Sequence, residues 1–320
     1  MNTSVKNSEL SIIAGPCSIS EKNFKALYEL STLEVKDHEG KARRAIAGVR
    51  IVGVKSRTSY SYNEGAMGYD SKALVENLEI FAAGGGLKDM KMLPSVDMAR
   101  EFIEKTGLLV ASEIVSPLIQ IPLCAKLLRN YELLLWTPAV VQLGWSLLEM
   151  YEASKENKWT LGVKNPKWVG KEVNGLTSME KTWLGMGSYV PFIHKVIYIQ
   201  RGVDIPESGL YRNAPAHESA MKMKKRTGMK MYFDPSHSFG PKLRDKIVDG
   251  TVEAMKMMVS ENEYLYDGIL IEAGHSETDT EQHITHKELQ TLAGLLAQFR
   301  ILASPPGKPA VNELPAAVRQ

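Results

Sequence analysis

The chain is poor in the features that mark several large classes of protein. It holds two cysteines in 320 residues, Cys17 and Cys124, too few for a disulfide framework and in keeping with a reducing compartment. No apolar run reaches the roughly 18 residues expected of a membrane-crossing helix. The stretch from Met1 to Leu10 is polar and lacks the apolar core of a secretory leader. Neither sign of charge dominates, since 39 Lys and Arg stand against 37 Asp and Glu for a formal net charge of +2. A nucleic-acid or membrane-surface binder would carry a clustered basic excess, so neither partner is expected. What remains is a soluble, cytoplasmic protein, in which a few basic residues aimed into one cleft would still suit a small anion.

What is present points to a large core. With 44% hydrophobic and 24% charged residues, the chain can bury a full globular interior. Eight short apolar runs stand out: Ser11–Ala14, Ala47–Val54, Leu108–Ser112, Glu132–Trp136, Trp159–Val163, Val196–Gln200, Lys230–Phe233 and Gly268–Ile271. They are nearly continuous and not alternating, as strands buried on both faces of a parallel sheet should be. Helical spacing lies between them, over Glu21–Glu34, Ser95–Thr106, Leu143–Glu156 and Thr251–Glu261. Strand and helix alternating in this way predict a (β/α)8 barrel. There is no internal repeat or interior linker. One barrel domain over 1–302 is therefore expected, followed by a proline-rich tail over 303–320. Gly84-Gly85-Gly86 reads as a loop. The methionines of Met221–Met231 and Met255–Met258 read as packing.

The run Lys230–Phe233 leads into Asp234-Pro235-Ser236-His237. Pro235 cannot donate to a sheet ladder, so the strand should stop there and leave a carboxylate, a hydroxyl and an imidazole at its end. Other runs end in the same manner, and in a barrel these ends converge on one mouth. Cys17, His237, Glu272 and Asp279 offer a mixture of soft, borderline and hard donors suited to a divalent first-row metal. They come from three different strands with no local ligand spacing, so a buried thiol beside ordinary loop carboxylates is the competing reading. Arg50, Lys55, Arg57, Lys164 and Arg201 form a second group. Cations crowded into one cleft call for a multiply charged anion such as a phosphate or carboxylate.

Taken in order, Ala14-Gly15-Pro16-Cys17-Ser18, Arg50, Lys55-Ser56-Arg57-Thr58-Ser59, Val163-Lys164-Asn165, Gln200-Arg201-Gly202, Tyr211-Arg212-Asn213, Asp234-Pro235-Ser236-His237 and Ile271-Glu272 resemble a known pattern. It is that of the 3-deoxy-D-arabino-heptulosonate 7-phosphate (DAHP) and 3-deoxy-D-manno-octulosonate 8-phosphate (KDO8P) synthase family, over about Ile12 to Leu295. The family joins phosphoenolpyruvate (PEP) to a phosphorylated aldose and releases phosphate. The resemblance implies a divalent metal (Mn, Fe, Co or Zn) held by Cys17, His237, Glu272 and Asp279, with His283 competing for the last place. It implies that Arg50, Lys55, Lys164 and Arg201 hold PEP, that Arg57 and Thr58 bind the aldose phosphate, and that Lys55 and His237 take part in the chemistry. It also implies a homo-oligomer, either dimer or tetramer. Arg57-Thr58-Ser59 is closer to an erythrose 4-phosphate site than to that of the arabinose 5-phosphate enzymes, and places the activity in the shikimate route to aromatic amino acids.

Two departures stand out. Ser56 replaces a customary proline. Ala139 stands where the family carries an arginine on the PEP phosphate, a charge-assisted contact worth about 1.5–3 kcal/mol, or roughly ten- to a hundredfold in affinity. Lys167 and Arg212 are the candidates to replace it. Three other readings stay open: arabinose 5-phosphate or another aldose as substrate, a non-catalytic paralogue, and an aldolase using Lys164 as a Schiff-base lysine.

Overall fold

The computed structural model describes residues 9–55, 68–139, 144–155, 157–190, 195–276 and 278–307. Eight parallel strands close into a barrel: β1 (Glu9–Gly15), β2 (Gly48–Arg50), β3 (Leu109–Glu113), β4 (Leu133–Thr137), β5 (Trp159–Lys164), β6 (Val196–Gln200), β7 (Lys230–Phe233) and β8 (Gly268–Glu272). Each strand pairs with the next. Closure comes from β1 on β8, where Ser11 lies opposite Gly268 and Gly15 opposite Glu272. Nine helices of at least ten residues surround it among the described residues: α1 (Glu21–Ser31), α2 (Ser71–Ala82), α3 (Pro94–Thr106), α4 (Pro117–Leu128), α5 (Gly144–Ser154), α6 (Ser178–Ser188), α7 (His217–Thr227), α8 (Ile247–Lys256) and α9 (His286–Leu296). The alternation read from the sequence is thus a (β/α)8 barrel. None of the described helices is long and apolar enough to cross a membrane.

Two elements differ from the sequence reading. The run Ala47–Val54 gives a strand over Gly48–Arg50 alone. Beyond it the backbone turns to other work: the carbonyl of Val52 accepts from Ile19 and that of Gly53 from Asp70. The helix expected over Thr251–Glu261 instead runs from Ile247 to Lys256. Met257 adopts extended backbone, and Met258–Ser260 pairs with Glu263–Tyr264 as a small antiparallel hairpin. The apolar spacing continued past the helix end because a hairpin packed on the barrel also needs apolar residues.

Side chains on a strand alternate between its faces, and in a closed barrel one face points inward. Ile13, Val52, Ala111, Leu134, Trp136, Ile197, Ile199, Tyr232 and Leu270 make a core cluster of their own. Their neighbours on the same strands, such as Ile12, Leu133, Leu135, Val196, Tyr198 and Ile269, belong to the larger cluster shared with the helices. Two glycines make room inside. A Cβ on Gly162 would stand 2.8 Å from the Cβ of Trp136, and one on Gly268 would enter the Tyr232 ring. Alternation of large and small residues fills the barrel.

Helix starts are set by local chemistry. Thr285 caps α9, accepting from the Glu288 backbone, while the Glu288 carboxylate returns to the Thr285 N–H at 2.7 Å. The Arg244 guanidinium forks onto the same carboxylate. Its Nε holds the carbonyl of His283 at 3.0 Å. Arg244 holds the Glu288 carboxyl down at about 2.

Because that carboxyl is depressed in the folded state, its contribution is present above the ordinary carboxylate range and lost as pH falls towards about 2. Glu288→Gln should therefore cost about 1 kcal/mol near neutrality, the partly exposed pair being screened by solvent. Urea unfolding of both proteins between pH 5 and pH 2 should show that difference closing as the acid side is approached.

Candidate active site

The inward positions just above the apolar interior carry charge. Two residues beyond Ala111 stands Glu113, beyond Gly162 Lys164, beyond Ile199 Arg201, beyond Tyr232 Asp234 and beyond Leu270 Glu272; Arg50 follows Gly48 in the same way. All six are buried. An isolated charge there would be very costly, and five of the six are paired, Arg201 being the exception. Arg50 Nη2 lies 3.1 Å from Glu272 Oε1, Lys164 Nζ lies 3.0 Å from Asp234 Oδ2, and Lys55 Nζ lies 3.5 Å from Glu113 Oε2. Trp136 lies among them, its ring centre 5.6 Å from the Arg50 guanidinium and 5.3 Å from the Lys164 ammonium.

After β7 the sequence Asp-Pro-Ser-His forms a one-turn helix, Pro235–Phe239, capped by Asp234. Proline is preset for the first helical position and Asp accepts from the exposed amides. The Asp234 carboxylate accepts from the backbone N–H of His237 at 3.2 Å and from its Nδ1 at 3.0 Å. The ring is therefore fixed with Nε2 turned to Glu272, 3.7 Å from Oε1. Burial lowers the His237 pKa, outweighing the pull of Asp234 and Glu272. Burial alone would raise Asp234, yet His237 and Lys164 hold it well below the carboxylate range. Glu272 is likewise held far down, with His237, Arg50 and His283 overcoming its burial.

Cys17, in the turn after β1, is fully buried. Its Sγ lies 3.6 Å from Asp279 Oδ2. Burial, and then the charge of Glu272, raise its thiol to about 11. The hydroxyls of Ser18, Ser276 and Thr278 tie the two loops together, with Ser18 Oγ 3.1 Å from Ser276 Oγ and 3.0 Å from Thr278 Oγ1. Asp279 also meets Arg212 Nη1 at 3.5 Å.

The structure thus brings Cys17, Arg50, Lys55, Lys164, Arg201, His237, Glu272 and Asp279 to one end of the barrel. Arg57 and Thr58 lie outside the described residues. His283 reaches the same cluster, its Nε2 3.7 Å from Glu272 Oε2. Among the described residues, no three of the His, Cys, Asp and Glu side chains already form a metal-holding group. Their chemistry nevertheless suits a divalent ion: a thiol, two imidazoles and two carboxylates adjoin, and Glu272 Oε1 and His283 Nε2 are buried without a hydrogen bond.

Ala139 sits half-buried in a turn beyond β4 and brings no charge. Across the mouth, Arg201 donates to Asn213 Oδ1 at 3.1 Å. Burial lowers it to about 10, and the Arg212 charge adds to that. Lys167 is lowered by burial and by the same two arginines, Arg201 and Arg212. The sequence reading placed Glu113 and Asp234 at strand ends and Asn213 in a motif but gave none of them a role, and it missed Trp136 and Gln282, which left no such signal.

No protein-family model matches the chain, and no curated protein matches it in sequence. Solved structures do. A phospho-2-dehydro-3-deoxyheptonate aldolase (DAHP synthase) from Thermotoga maritima superposes with a TM-score of 0.65 at 18% identity, over 93% of this chain and 72% of that one. A truncated 3-deoxy-D-arabino-heptulosonate 7-phosphate synthase from the same organism superposes with a TM-score of 0.59 at 17% identity, over 93% of this chain and 91% of that one. At such identities the likeness is one of fold. The class is a (β/α)8 barrel with a charged C-terminal mouth, and its solved neighbours are DAHP synthase structures.

Asp234→Asn would remove the partner of a buried ammonium and loosen His237 together. Breaking a buried pair from one side should destabilise the protein by about 3 kcal/mol. Chemical denaturation at neutral pH should show that loss, with secondary structure retained below the transition.

Proposed function

We propose that this barrel condenses PEP with a phosphorylated aldose, erythrose 4-phosphate before arabinose 5-phosphate, giving DAHP and inorganic phosphate. The observation that carries the reading is the interlocking of its two groups of residues: Arg50, from the cationic group, is paired with Glu272, and Glu272 faces the ring of His237. A site for two phosphorylated substrates needs cations, and a carbonyl electrophile needs polarisation, within one small volume.

In this reading Arg50, Lys55, Lys164 and Arg201 bind the carboxylate and phosphate of PEP and fix the face of its enol. Arg57 and Thr58 take the aldose phosphate, an assignment that rests on the resemblance. Carbon 3 of PEP attacks the aldehyde carbon, water adds at carbon 2, and phosphate leaves. Lys55 keeps its proton: burial opposes its charge, but Cys17, Glu113 and Glu272 overcome this and raise its pKa. As a fixed ammonium it is suited to donate a hydrogen bond to the aldehyde oxygen as negative charge develops there. His237 has one nitrogen committed to Asp234, so the other can serve a single task, holding the ion or carrying the proton of water. Cys17, His237, Glu272 and either Asp279 or His283 would hold a divalent ion, which when bound supplies Lewis acidity at the aldehyde oxygen. The Schiff-base alternative gains no support, because Lys164 is engaged by Asp234.

Lys167 is the cation proposed to make good the missing arginine at Ala139. Lys167→Ala should raise KM for PEP about tenfold with a smaller change in kcat, as loss of a ground-state phosphate contact does. Phosphate release from PEP with erythrose 4-phosphate, and with arabinose 5-phosphate for comparison, measures this in the presence of manganese or zinc. Absence of phosphate release with every aldose would favour the non-catalytic reading, and faster turnover of arabinose 5-phosphate would reverse the choice of substrate.

A further inference from the structure

Three indoles are fully buried among the described residues, those of Trp136, Trp159 and Trp183. Two are satisfied within the protein. Trp159 Nε1 donates to the Leu128 carbonyl at 3.2 Å, and Trp183 Nε1 donates to that of Val163 at 2.9 Å. Trp136 Nε1 is equally buried and has no hydrogen-bond partner. A buried indole N–H normally finds an acceptor, so this one calls for a cause.

Its surroundings show from which side an acceptor can come. Leu134, Ile197 and Ile199, which share its core cluster, are aliphatic. The Tyr232 hydroxyl of the same cluster is engaged by Ser11, at the opposite end of the barrel. The groups over the indole ring are Arg50 and Lys164, and both can only donate. Arg50 adds two more buried donors without partners, Nε and Nη1, while its Nη2 faces Glu272. Unmet N–H groups on two adjoining side chains thus lie at the floor of the mouth. An acceptor reaches them from the mouth and not from the apolar interior below.

Charge separates this group from the other cations. Arg50 and Lys164 already face Glu272 and Asp234, whereas Arg201 and Lys167 have no carboxylate partner among the described residues. PEP has two unequal ends, a phosphate dianion and a carboxylate of single charge. The dianion suits the unpaired cations. The carboxylate suits the partly neutralised ones, where an indole N–H adds a contact without adding charge.

We propose that the indole N–H of Trp136 binds the carboxylate of the enolpyruvyl substrate beside the free donors of Arg50; this deepens the PEP reading above and rests on it. Trp136 then selects for a carboxylate, and Arg201 with Lys167 answers the phosphate.

Calorimetric binding of PEP, phosphoglycolate and inorganic phosphate to the full-length protein, with no aldose present, tests this. Trp136→Phe keeps an aromatic ring beneath the two cations and removes the N–H. It should weaken PEP and phosphoglycolate, which carry a carboxylate, by about tenfold and leave inorganic phosphate unchanged. Lys167→Ala should weaken all three ligands. If Trp136→Phe binds phosphoglycolate as tightly as the parent, or loses inorganic phosphate to the same degree, the proposal is overturned and the PEP reading stands. A parent protein that binds none of the three overturns both. Circular dichroism reports folding. Should Trp136→Phe not fold, heteronuclear NMR of the parent's indole N–H groups decides. One resonance should move downfield with phosphoglycolate and stay in place with inorganic phosphate, and the lack of any such movement would overturn the assignment.

Discussion

One buried carboxylate governs the mouth of this barrel. Glu272 is wholly removed from solvent, and its charge is maintained by groups from three parts of the chain: Arg50 from β2, His237 from the turn after β7, and Gln282 with His283 from the loop after β8. Taking such a charge out of water costs several kcal/mol unless these neighbours are already in place. Its own backbone N–H is satisfied by Ser236 Oγ at 2.9 Å. Barrel closure and site assembly are therefore one event: the register that sets Gly15 beside Glu272 also delivers Cys17, two residues on, to the same end.

Parity turns this local constraint into a general one. A one-residue slip of any of the six strands that carry such a charge would send it into the apolar layer beneath the helices and its neighbour into the mouth. The inner apolar cluster and the charged layer above it thus hold each other in register. Gly162 and Gly268 serve the same end, because only their lack of a Cβ lets Trp136 and Tyr232 fill the interior below the charges. Trp136 in turn gives Arg50 and Lys164 an aromatic face.

The sequence made the barrel legible because strands buried on both faces are continuous apolar runs, and helices between them repeat at a different period. Charged strand ends such as Lys164, Arg201 and Glu272 were legible for the same reason, since they stop those runs. Other features depended on partners far along the chain. β2 proved short because the carbonyls of Val52 and Gly53 bond to loops no local pattern reveals. Asp234 looked like one more strand-end carboxylate, and only its geometry shows it capping a helix, orienting His237 and neutralising Lys164 at once. The approach of Asp279 Oδ2 to Cys17 Sγ was hidden because residue counts in a loop do not say which side chain turns inward.

Charge balance at the mouth explains why these groups should await an anion. Arg50 pairs with Glu272, Lys164 with Asp234, Lys55 with Glu113 and Arg212 with Asp279. Among the described residues, Arg201 and Lys167 form no such pair with a carboxylate, although Arg201 is buried and both have their pKa lowered. Burial of unpaired like charges is unfavourable, so a dianionic phosphate seated between them would relieve repulsion as well as gain direct contacts. The paired cations can contribute without large movement, because their carboxylates already hold them in fixed directions. In the proposed reaction, preorganisation of this kind would let the site bring two phosphorylated molecules together despite their mutual repulsion, with the heaviest demand on the two cations that no described carboxylate satisfies.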